Sequence, residues 1–122
     1  MTKNAGTYVK LQDAYVSESN LVGTWAKIGY VAPGAPKAGD PGTTTNFTYT
    51  GAITSDSLAV ANLPKTEGWK AAARVALNDC AINSAWTVSV TGNSNGNSVS
   101  YDADLPANCG DALTPTFKKI GK

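Results

Sequence analysis

The sequence predicts an α+β domain: an N-terminal amphipathic helix packed on an antiparallel β-sheet, followed by a C-terminal region closed by a disulfide. Three observations carry this reading. Tyr8, Leu11 and Tyr15, followed by Leu21 or Val22, recur at helical spacing. Trp86, Val88 and Val90 alternate with Thr87 and Ser89, and after a turn rich in Asn and Gly the chain returns through Val99 and Tyr101, which makes a β-hairpin. The chain has two cysteines, Cys80 and Cys109, and no histidine.

The elements follow in order along a chain of 122 residues, the size of one domain. The first helix occupies about residues 4–22. Lys10, Gln12, Asp13 and Glu18 fill the side away from the apolar stripe, and residues 17–20 with Gly23 bring it to an end. No strong cap precedes it and its stripe starts in phase, so it reads as the C-terminal half of a longer helix. Residues 23–45 connect the helix to the sheet. Trp25, Ile28 and Tyr30 lie in a segment that reads as either a strand or an extended linker. Pro33, Gly34, Pro36, Gly39, Pro41 and Gly42 then make residues 32–45 an exposed loop.

Residues 46–122 hold the sheet and the disulfide-bonded region. Residues 46–50 alternate aromatic and polar, as a half-buried strand does. Residues 57–62 give no clear signal. The alanines of residues 69–78 favour a helix by propensity. Yet Trp69, Ala71, Ala73, Val75 and Leu77 alternate with period two, and the downstream hairpin needs neighbours, so a strand is the reading adopted. Residues 102–122 carry Pro106, Gly110, Pro115 and Gly121 and read mostly as loop.

Composition narrows the function. The net charge is +1 with no basic cluster, so no duplex nucleic acid is expected as a partner. Without histidine, a general base has to be a carboxylate or a lysine. No phosphate-binding glycine motif occurs, and the chain is not expected to be an enzyme. Two cysteines without histidine or CxxC spacing make a poor metal site. A Cys80–Cys109 disulfide closing a polar, Asn-rich loop is expected, stabilising the fold by roughly 3–4 kcal/mol in the chain-entropy model. Such a bond implies an exported protein. No apolar run approaches the ~20 residues that cross a bilayer and no signal peptide is visible, so the same argument expects the targeting segment to be missing from this form.

This order of elements resembles the type IV pilins and the pseudopilins of type II secretion. Residues 8–15 look like the amphipathic second half of that family's long helix. Cys80 and Cys109 match its C-terminal disulfide in position and span, with the hairpin inside the loop. Asn108-Cys109-Gly110-Asp111 and the stretch from Leu113 to Lys118 look like its closing segment and tail. The resemblance implies a pilin-like head and a structural subunit of a pilus-like extracellular filament, self-assembling through its N-terminal helix. Partners are then other subunits and the pilus or secretion assembly machinery. The membrane is touched only through a missing apolar segment, held in the bacterial inner membrane before the subunit reaches the cell surface. With Tyr8, Leu11 and Tyr15 on the sheet, Val9 and Val16 are expected to face neighbouring subunits.

Two further sites are open to the sequence. Some pseudopilins carry calcium in a C-terminal loop, and Asp102, Asp104, Asn108 and Asp111 are the matching oxygen ligands here. An Asx-rich turn is the preferred reading of these residues, and no cofactor is expected. The alternative function is a carbohydrate-binding or adhesive surface module, with Trp25, Tyr30 and Trp69 exposed to stack on sugar rings, while Trp86 fills the core.

Overall fold

The computed structural model describes residues 1–107 and 109–122. Helix α1 (Thr2–Ser19) ends where Asn20 takes a left-handed conformation, φ 57°, and returns its N–H to the Val16 carbonyl. Strand β1 (Leu21–Val22) follows, then a single turn of helix, α2 (Trp25–Ile28). The Thr24 side chain caps α2 by accepting from the Lys27 N–H, and Gly29 ends it at φ 77°. Residues 25–28 are therefore neither strand nor linker. The cap and the glycine define one turn, too short for apolar periodicity to reveal.

The remaining strands are β2 (Gly42–Thr43), β3 (Phe47–Thr50), β4 (Leu58–Ala59), β5 (Thr66–Ala73), β6 (Ala85–Gly92) and β7 (Val99–Asp104). Strands β2-β3-β5-β6-β7 form one sheet in that order, antiparallel throughout, and β1 pairs with β4 in a small separate ladder. The chain closes with α3 (Gly110–Leu113) and a 3₁₀ turn (Phe117–Lys119). The α+β class, the N-terminal helix, the antiparallel sheet and the Cys80–Cys109 bond are as the sequence predicts.

Register decides which residues share a face. Tyr49 lies opposite Ala71, Ala71 opposite Trp86, Trp69 opposite Val88, and Val90 opposite Tyr101. All of these are buried. This inner face is covered by α1, by the segment through Trp25 and Tyr30, and by the C-terminal segment. There, Phe117 packs 6.0 Å from the Trp69 ring and Trp86 Nε1 donates to Thr114 Oγ1 at 2.8 Å. The alternate residues, Thr50, Lys70, Thr87 and Asp104, line up in register on the other face. The period-two pattern stops at Ala73. Val75 is 40% exposed, because residues 74–84 turn away to reach β6.

The stripe of α1 is displaced from its sequence reading. Its buried residues are Ala5, Tyr8, Gln12 and Val16, the row 8-12-16 of one helical face. Leu11 and Tyr15 flank that row half-buried. Val16 is 1% exposed and belongs to the core, so it offers nothing to a neighbouring subunit, and Val9 packs partly buried at the edge of the same face. Gln12 drew the sequence reading off line: its polarity assigns it to solvent, while the structure buries it completely.

Candidate functional site

The helix is tied to the loop after β1 by a polar knot, beside an aromatic cluster that packs on the sheet. Gln12 Nε2 donates to the Gly23 carbonyl at 3.0 Å and to the Tyr8 hydroxyl at 3.0 Å, and the Gly23 N–H donates to Gln12 Oε1 at 2.9 Å. One amide thereby satisfies both backbone groups of a buried loop residue. The Tyr8 ring meets Tyr30 edge-on at 5.8 Å, and Tyr30 meets Trp25 edge-on at 4.8 Å. Trp25 Nε1 donates to the Gly68 carbonyl at 2.9 Å and Trp69 Nε1 to the Tyr30 hydroxyl at 2.9 Å. Gly68 sits at a bulge in β5, where the register shifts between Glu67 and Trp69.

Burial raises the phenols of this cluster. Desolvation pushes Tyr8 up to about 12 against the opposing hydrogen bond from Gln12, and Tyr30 up to about 12 against that from Trp69. Tyr49 is raised by the same cause. Tyr101 is raised by burial first and then by the charge of Asp13, to which its hydroxyl donates at 3.4 Å.

Trp25, Tyr30 and Trp69, read from the sequence as sugar-stacking aromatics, are only 6%, 1% and 0% exposed. Their rings build the core, and their polar atoms are spent on the internal hydrogen bonds just described. They form no stacking platform.

The acidic residues of the C-terminal region do not converge. Asp102 pairs with Lys122 at 3.3 Å, Asp104 with Lys65 at 3.2 Å and Asp111 with Lys118 at 3.2 Å. Register puts Asp102 and Asp104 on the same outer face of β7, but three different lysines hold the three carboxylates. Among the described residues no group of three or more His, Cys, Asp or Glu side chains draws together, and Asn108 lies outside those residues. A cleft of about 680 Å³ beside this region is lined by Leu105, Pro106, Cys109, Ala112 and Lys118. The Cys80–Cys109 bond, with Cα atoms 5.3 Å apart, ties the start of α3 to the turn where Leu77 bridges Cys80.

The far side of α1 is exposed to solvent. Lys3, Thr7, Lys10, Ala14 and Glu18 are exposed along its length, at the three- and four-residue spacings that align on one helical face. Lys10 and Glu18 lie on the side away from the stripe, as the sequence predicts, while Lys3, Thr7 and Ala14 complete the row. The signal that finds them is the row 8-12-16, which fixes the opposite side once Gln12 is counted as buried.

Compared with known proteins, the chain matches no family model, no curated protein and no solved structure.

Proposed function

We propose that this chain is a structural subunit of a pilus-like extracellular filament and that it assembles through its N-terminal helix. One observation carries the reading: α1 is held to the antiparallel sheet by one face while the opposite face stays bare from Lys3 to Glu18. A helix buried on one side by its own sheet has the other side to offer to like helices. Supporting this, Cys80–Cys109 ties the C-terminal segment against the sheet at the other end of the chain. That arrangement suits a subunit exposed to an oxidising exterior. Its partners on this reading are further copies of itself and the machinery that exports and assembles such filaments.

The test fuses an apolar helix of ~20–28 residues, enough to cross a bilayer, in phase ahead of α1. The extended chain is expressed in a bacterium that assembles pili. Membrane attachment and filaments carrying this chain are expected by fractionation and electron microscopy. Ala14→Arg, on the bare face, should lower filament yield while the isolated domain keeps its wild-type circular dichroism. An extended chain that neither attaches nor polymerises sinks the reading.

A further inference from the structure

The bare face of α1 carries its charges in an order that does not serve the helix. A helix is stabilised by acidic groups near its N-terminus and basic groups near its C-terminus. Here the first turn has no acidic residue and the last turn no basic one. Instead Lys3 and Lys10 occupy the N-terminal half of the face and Glu18 its C-terminal end, while Asp13 lies at its edge, turned to the Tyr101 hydroxyl. None of the four has an ion-pair partner among the described residues, whereas Lys65, Lys118 and Lys122 are each matched with an aspartate.

We infer that this face pairs with the same face of a second copy, antiparallel, about a two-fold axis level with residues 10 and 11. The sequence positions make the face self-complementary. In that register Lys3 meets Glu18 of the other copy and Thr7 meets Ala14, while the two Lys10 side chains come beside each other at the axis, a repulsion that limits the affinity. The two-fold repeats every contact. Thr7 and Ala14 are small, so the helices approach closely where these two residues meet on either side of Lys10. An arrangement that opposes the helix dipole within one chain becomes complementary between two chains.

The contact is small. An 18-residue helix is about 27 Å long, and one helical face buries less than the ~1,000 Å² of a stable interface. The dimer is therefore weak and sensitive to salt. It requires only the helix as it stands, and because it covers the face that filament assembly would use, a paired chain is not free to join a filament.

The experiment mixes ¹⁴N- and ¹⁵N-labelled chains at low ionic strength and treats them with a carbodiimide, which joins a lysine to a carboxylate without a spacer. Mass spectrometry of mixed-isotope peptides should identify Lys3–Glu18 as the leading inter-chain link. Sedimentation equilibrium should show a dimer at about 0.02 M salt that is lost near 0.5 M. Lys3→Glu should weaken dimerisation about tenfold, since it reverses two symmetry-related pairs. The combined Lys3→Glu and Glu18→Lys chain should regain most of it. Both residues are exposed, so each variant is expected to fold, and circular dichroism checks this. Three results overturn the inference: a monomer at millimolar concentration in low salt, single reversals without effect, or leading Lys3–Asp13 and Lys10–Glu18 links. The last would mean parallel, staggered helices.

Discussion

Gln12 has no exposed surface, and its amide faces both backbone groups of Gly23. Gln12→Leu would keep the volume and strand a buried N–H and a buried carbonyl, each costing about 1–3 kcal/mol. A loss of roughly 2–6 kcal/mol is expected from the denaturant midpoint. Gln12→Glu keeps an acceptor for the Gly23 N–H but buries a carboxyl, which desolvation raises above its unfolded value of about 4.3. The deficit of this variant should be smallest below that value and should grow as pH rises through the folded one. The tyrosines give the wild type its own alkaline limit. Tyr8 and Tyr30 are held neutral up to about 12 in the fold, from 10.0 outside it. The stability linked to them is fully present below 10 and lost between 10 and 12. A pH titration followed by tyrosinate absorbance and near-ultraviolet circular dichroism should show both changing together in that window. Independent ionisation of Tyr8 and Tyr30 near 10 in a still-folded chain would contradict their burial. Gln12 shows where a hydrophobicity pattern fails: polarity alone assigns it to solvent, and only the four-residue spacing from Tyr8 to Val16 places it inside.

At the scale of elements, the long strands were legible and the short ones were not. Strands β5 and β6 show their inner residues Trp69, Ala71, Ala73 and Trp86, Val88, Val90 at period two. Strands β1, β2 and β4 have two residues each, below any period. Helix α2 is set by Thr24 and Gly29 rather than by a stripe. The β5 bulge was equally hidden, because it depends on what packs there. A Cβ built on Gly68 would lie 2.0 Å from the Tyr8 hydroxyl oxygen and 2.9 Å from the ring carbon that bears it. Since Tyr8 is locked against Tyr30 and Gln12, it has nowhere to retreat. Gly68→Ala is expected to destabilise by about 1–3 kcal/mol, as overpacking does. Tyr8→Phe removes the closest clashing atom, so the double variant should be more stable than the two single losses predict. A double-mutant cycle by chemical denaturation reads this coupling. Strict additivity would mean that Gly68 is needed for the bulge backbone and not for Tyr8.

Across the whole molecule, the C-terminal segment completes the layer that α1 begins. Phe117 is fully buried against Trp69, and Trp86 reaches Thr114. Yet the helices of this segment are four and three residues long and do not hold themselves. Its lysine–aspartate pairs are exposed and add little. What anchors it is Cys109, bound to Cys80 across 29 residues. Two consequences separate. A cross-link of that span restricts the unfolded chain and contributes roughly 3–4 kcal/mol in the chain-entropy model. It also holds residues 109–120 over the inner face, an effect on the native state. Replacing both cysteines by serine should therefore do more than lower the unfolding midpoint. Amide exchange should accelerate in the C-terminal segment by far more than in α1, β5 and β6, because its local opening no longer requires global unfolding. Tryptophan emission should shift to the red as Phe117 leaves Trp69. If exchange instead accelerates equally over the whole domain and emission is unchanged, the disulfide acts on the unfolded chain alone, and Phe117 is the anchor.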